Sequence, residues 1–171
     1  MKLLLTLLIL FLPYILNASS SENEIKVAVL GKFTHFVKYK KPTGNENFII
    51  VVFKDEAIAS LIKEKYSNKQ MHRKDVLVQH IIELKKIQKP DMLYIGKVSQ
   101  EEQQQIIEYA QHNSLFSVSS QSGFAQRGGI IQLYFLSQKI RFKINLNAAK
   151  KSNLKIRASL LSIATIVKGK K

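Results

Sequence analysis

The chain has 171 residues, 46% of them hydrophobic and 23% charged, which is the composition of one ordinary globular domain rather than of a low-complexity chain. It has no cysteine, which excludes disulfides, thiolate metal sites, cysteine nucleophiles and lipid attachment to a cysteine. The 27 Lys and Arg against 12 Asp and Glu leave a net charge of +15, an excess that suits an anionic partner or surface, or that only reflects a basic proteome.

Met1-Lys2 is a short basic start, Leu3 to Leu12 is an almost unbroken apolar run, and Asn17 to Ser21 supplies small polar residues. That order reads as a secretory signal peptide over residues 1–20, cut after Ala18 or Ser20. The apolar run is shorter than the roughly 20 residues that a spanning helix needs, and an uncleaved N-terminal anchor is the alternative. Without residues 1–20 the charge is +14. An exported chain rarely meets nucleic acid, so no nucleic-acid partner is expected, and the membrane-surface and protein-partner readings gain.

Residues 21–171 then read as a single domain. Ser21 and Glu24 stand three apart as a capping pair, and Ile25, Ala28, Val29, Lys32, Phe33, Phe36 and Val37 follow at helical spacing up to Lys38. Pro42 to Gly44 makes a loop. Phe48 to Phe53 is a continuous apolar run, the pattern of a strand buried on both faces. Asp55 opens a helix to Tyr66 with Ala57, Ile58, Leu61 and Ile62 inside, and Val76 to Ile81 is the next strand, so a βαβ unit and a parallel sheet are expected. Met92 to Ile95 is a strand after Pro90. Ser99 and Glu102 open a helix whose apolar face is Ile106, Ile107, Tyr109 and Ala110, and Leu115 to Val118 is a strand leading to a glycine loop.

That loop, Gly123-Phe-Ala-Gln-Arg-Gly-Gly129, carries three glycines around Phe124 and Arg127. Ile130 to Leu136 follows as a buried strand, and Lys139 to Asn145 alternates Ile140, Phe142 and Ile144 with Arg141, Lys143 and Asn145, the period of a strand with one wet face. A tight turn at Ser137-Gln138 joins them. Leu146 starts a short helix that Asn153 ends, Leu154 to Ile156 re-enters the core, and Arg157 to Val167 reads as a terminal amphipathic helix before a basic tail. The fold class is therefore α/β: a central, mainly parallel sheet with helices on both faces, ending in an antiparallel strand pair and a C-terminal helix.

Motifs for chemistry are missing. His35, His72, His80 and His112 are scattered, with no two at ligand spacing, so no metal and no cofactor is assigned. The loop lacks both the Gly-Lys-Ser/Thr ending of a phosphate loop and the Gly-x-Ser-x-Gly of a nucleophile elbow. No enzyme is expected. The loop has two readings. In one, Phe124 plugs the core and Arg127 bonds loop carbonyls. In the other, Phe124 and Arg127 project toward a partner, with Lys150 and Lys151 steering it electrostatically.

Gly123, Phe124, Ala125, Gly128, Gly129, Phe142, Ile144 and Asn145, in this order with the strand pair between them, resemble the YfiR family of small bacterial periplasmic proteins. The resemblance runs from Gly123 to about Val167 and is looser upstream. It implies a periplasmic repressor that binds the periplasmic region of a membrane-anchored signalling protein, a diguanylate cyclase or a sensor kinase, and lowers cyclic di-GMP output in the former case. It also implies an outer-membrane lipoprotein that draws the repressor away. The absence of cysteine departs from relatives for which disulfide control is proposed. A small-ligand or anionic envelope-surface binding protein is the alternative, and the oligomeric state is left open, a homodimer included.

Overall fold

The computed structural model describes residues 22–39, 44 and 46–169. The leader expected over residues 1–20, the Ser21 end of the capping pair, most of the Pro42 loop and the last two lysines lie outside the described residues. Ten strands and five helices follow in order: α1 (residues 22–36), β1 (Val37–Tyr39), β2 (Phe48–Phe53), α2 (Glu56–Tyr66), β3 (Gln70–Met71), β4 (Lys74–Ile81), β5 (Met92–Ile95), α3 (Gln100–His112), β6 (Ser117–Ser119), β7 (Ile131–Leu136), β8 (Lys139–Asn145), α4 (Leu146–Lys151), β9 (Leu154–Ile156), α5 (Ala158–Leu161) and β10 (Thr165–Val167). A short 3₁₀ turn at Leu84–Lys86 links β4 to β5.

Eight strands form one sheet in the order β10-β8-β7-β6-β5-β2-β4-β3. From β4 to β7 every pairing is parallel, and the antiparallel pairs are β7–β8 and the small β3–β4 edge. The central order β4-β2-β5-β6-β7 is that of a doubly wound sheet. Both faces are covered, as the unbroken apolar β2 and β5 require. On one face Ile50, Val52, Met92, Val118 and Ile131 meet Val27, Leu30 and Phe33 of α1 and Ile58 and Ile62 of α2. On the other, Val51, Phe53, Leu93 and Ile95 meet Ile106, Ile107 and Ala110 of α3. The mainly parallel α/β sheet expected from the sequence is thus the observed fold.

Helix ends follow their side chains. Asp55 accepts from the Ile58 amide at 3.1 Å and Ser99 from the Glu102 amide at 3.1 Å, so each start is fixed by a side-chain oxygen on an otherwise orphan N–H. Between β7 and β8, Ser137 and Gln138 both have positive φ, 48° and 62°, the backbone of a two-residue hairpin turn matched to strand twist.

Four expectations need correction. On α2 Ala57, expected inside, is exposed, and Ala59 is buried in its stead. α1 buries Val27, Leu30, Phe33 and Thr34, while Ile25, Ala28 and Val29 are half-buried and Lys32 is exposed. The helix is apolar on several sides, and the edge-on contact of Phe33 with Phe142, 5.4 Å between centroids, marks the side that faces the sheet. α1 also ends at residue 36, because Val37 to Tyr39 turns into a strand that pairs antiparallel with β9. The helix expected from Arg157 to Val167 is only the single turn of α5. Thr165, Ile166 and Val167 are β-branched, which crowds a helix, and the free edge of β8 from Lys143 to Asn145 offers them a parallel ladder instead.

Candidate functional site

The crevice at the C-terminal strand ends, where doubly wound sheets usually hold ligands, is closed by the chain itself. Gln121 accepts from the Val98 amide at 3.1 Å and donates to the Val98 carbonyl at 2.7 Å, Lys54 pairs with Glu102 at 2.6 Å, and the Tyr94 hydroxyl meets Ser120 Oγ at 3.1 Å. Burial pushes the Tyr94 phenol up to about 12, so it stays neutral.

The glycine loop, between β6 and β7, takes the place of a crossover helix. It is a chain of tight turns, with Gly129 N–H donating to the Phe124 carbonyl at 2.9 Å and Arg127 N–H to that of Gly123 at 3.0 Å. Phe124 has no exposed surface and packs with Leu93, Ile95, Ile106 and Ile107. A Cβ on Gly129 would stand 2.2 Å from its ring, so glycine is what lets the loop close over the Phe. The partner contact read for Phe124 is therefore not available in this fold: a fully buried ring has nothing to offer another surface. Arg127 lies flat along the loop, its Nε donating to Gln103 Oε1 at 2.5 Å and its guanidinium to the Ser122 carbonyl at 2.5 Å, in space that a side chain at Gly123 would fill.

Of the polar groups that hold this loop, Asn145 was part of the sequence motif, whereas Gln103, Gln111 and Ser117 were not singled out in the sequence. Gln111 donates to the Gly128 carbonyl at 2.9 Å, Asn145 Nδ2 to the Ala125 carbonyl at 2.8 Å, and the Ile130 amide to Ser117 Oγ at 3.2 Å. Gln103 and Gln111 share the α3 face of Ile107 and Ala110, and a glutamine on a buried stripe is the signal that could have found them.

Arg127 and the adjacent pair Lys150 and Lys151, from two separate stretches, line one cleft of about 580 Å³ beside the loop. Its walls are Gln104, Glu108 and Gln111 of α3, Gly128, and Asn147 and Ala148 of α4, with Asn145 and Gly169 at one end. Lys150 and Lys151 are exposed, Arg127 is half-buried, and among the described residues Glu108, held by Gln104 at 2.9 Å, is the one carboxylate against these three cations. Gly123, Ala125, Phe142 and Ile144 stand outside the lining, and the last two belong to the core on the α1 side. Among the described residues no group of three His, Cys, Asp or Glu stands together, and no helix is long and apolar enough to cross a membrane.

Fold and cleft together define a small doubly wound α/β domain with a basic groove beside a closed glycine loop. The chain belongs to the YfiR/HmsC-like family, whose model matches residues 23–165. That relation points to a periplasmic regulatory protein rather than an enzyme. No curated protein matches the sequence. Solved structures share the fold, two of them as follows. One is a conserved domain protein from Vibrio cholerae O1 biovar El Tor, with a TM-score of 0.56 at 16% identity over 85% of this chain. The other is the ligand-free, open form of a substrate-binding protein with adhesive properties from Clostridium difficile, with a TM-score of 0.51 at 13% identity over 71% of this chain. This chain spans 60% and 55% of those two chains, respectively.

Proposed function

We propose that this protein is a periplasmic regulatory binding protein that inhibits an inner-membrane signalling protein, a diguanylate cyclase or a sensor kinase, by binding its periplasmic region. Export through the leader of residues 1–20 and release by an outer-membrane lipoprotein belong to the same reading. The observation that carries it is the convergence of Arg127, Lys150 and Lys151, from two separate stretches, on one open cleft of a chain in this family. The cleft is net positive, which suits an acidic segment of a protein partner.

The roles of the three cations differ. Arg127 is fixed by two hydrogen bonds, so a carboxylate that meets it finds a pre-oriented guanidinium. Lys150 and Lys151 are exposed on the last turn of α4, and such charges act mainly on the rate of encounter. Arg127→Ala should weaken partner binding by about 1–3 kcal/mol. Lys150→Glu with Lys151→Glu should slow association and flatten its salt dependence while changing dissociation little. Pull-down from a membrane extract followed by binding kinetics on the captured protein checks both. Recovery of no membrane-anchored signalling protein, or unchanged affinity in all three substitutions, would sink the reading.

A further inference from the structure

The charge of this chain is not spread evenly. No Asp or Glu lies beyond Glu108, whereas eleven of the 27 Lys and Arg do. The last strands of the sheet gather part of that excess on one side. Leu136 stands opposite Lys139, Tyr134 opposite Arg141, Gln132 opposite Lys143, and Lys143 opposite Thr165, and residues paired in this way point to the same face. Lys139 and Arg141 are exposed there, and Lys143 is half-buried, its ammonium 5.4 Å from the Tyr134 ring centroid. Alternate positions on a strand place these three cations about 7 Å apart. None of them joins an ion pair among the described residues. At the hairpin end Leu136 is 59% exposed, and Ile163, in the turn before β10, is 67% exposed. β10 runs parallel to β8 from Thr165 onward, so the Ile163 turn lies toward that same hairpin end.

We propose that this face of β7, β8 and β10 docks on an anionic phospholipid bilayer, with Lys139, Arg141 and Lys143 over the headgroups and Leu136 and Ile163 entering the interface. Two features favour a bilayer over an acidic protein. The cations join no ion pair among the described residues, which suits a diffuse negative potential to which each Lys or Arg adds separately. The exposed aliphatic side chains beside them would be wasted against a carboxylate-rich surface but gain from an acyl boundary, and Tyr134 has the amphipathic ring that interfaces favour. β7, β8 and β10 themselves carry no carboxylate to oppose approach. The face is distinct from the cleft, which sits at the Asn145 end of β8, and docking does not rest on the regulatory reading.

The test is flotation of the purified full chain with vesicles of phosphatidylethanolamine and phosphatidylglycerol, and with vesicles of phosphatidylcholine alone. Binding is expected to the anionic vesicles at low salt, weakening as salt is raised, and not to the neutral ones. The triple change Lys139→Gln, Arg141→Gln, Lys143→Gln should lower partitioning about a hundredfold. Leu136→Ser with Ile163→Ser should abolish the part that survives high salt, and Lys150→Gln with Lys151→Gln should retain most of the binding. All these residues but Lys143 are exposed, and circular dichroism on each variant checks the fold. Absence of binding to anionic vesicles at low salt would overturn the proposal, as would wild-type binding by the triple variant. So would capture of soluble polyglutamate by the same face with vesicles left unbound. Partner capture from detergent extract, measured on the same triple variant, should be unchanged, so a failure of lipid binding is told apart from a failure of the regulatory reading.

Discussion

Phe124→Ala is expected to cost about 3–5 kcal/mol of folding stability, the cost of emptying a buried Phe site that cannot collapse. Phe124 has no exposed surface and closes the α3 side of the core against Ile106 and Ile107. The surroundings have little freedom to fill the void. On one side stand β-strand residues Leu93 and Ile95, on the other the backbone of Gly129, already in contact with the ring. For a domain of this size the loss lowers the melting temperature on the order of 10 °C. Partner affinity in the fraction that remains folded should be that of the wild type. Thermal unfolding and affinity measured on one sample decide the matter: an unchanged melting temperature with lost affinity would mean that the ring meets the partner after all.

Much of this fold was legible because its central strands are short and wholly apolar. Phe48 to Phe53 and Met92 to Ile95 have no polar face, and in so short a segment only a strand covered on both sides uses such a run. Asp55 and Ser99 marked their helix starts because a capping oxygen has a purely local job. What could not be read is what other parts of the chain impose. Leu160, Ile163, Ala164 and Val167 repeat at helical spacing, yet the strand that replaces the end of that helix exists because β8 leaves an unpaired edge for it. β1 and β9 have three residues each, too few for any period to show, and each is defined by the other.

The candidate site divides in the same way. Gly123, Gly128 and Gly129 announced a tight loop, and the basic residues on α4 announced a charged face. That the two border one cleft depends on β8 running antiparallel to β7, which returns the chain to the start of the loop. Gln103 and Gln111 had only their place on the apolar stripe of α3 to mark them, and Ser117, inside a short strand, had nothing local to show that its hydroxyl serves the Ile130 amide.

Asn145 is the joint between these parts, and Asn145→Ala is expected to cost about 2 kcal/mol. Its Oδ1 accepts from the Ala148 amide at 2.9 Å as the N-cap of α4, while its Nδ2 donates to the Ala125 carbonyl at 2.8 Å inside the glycine loop. Losing the cap accounts for about 1 kcal/mol, and losing the shorter of the two bonds to the Ala125 carbonyl, which then keeps only the Gly128 amide at 3.3 Å, accounts for about 1 kcal/mol more. Asn145→Asp separates the two roles. Ionised, it keeps the cap but turns a second oxygen toward the Ala125 carbonyl, so the carboxylate is buried against an acceptor and its pKa is raised above the unfolded value. Protonated, it can donate to Ala125 and accept from Ala148 together, as the asparagine does. A raised carboxyl pKa means that the folded state holds its proton longer than the unfolded state. The stability of the Asp variant relative to wild type is then nearest to parity below the unfolded pKa of about 4, and is lost as pH rises through the folded pKa. Urea unfolding of wild type and both variants at acidic and neutral pH measures this. An alanine variant within about 0.5 kcal/mol of wild type, or an Asp variant whose deficit does not grow with pH, would show that the Ala125 bond is not what holds the loop to α4.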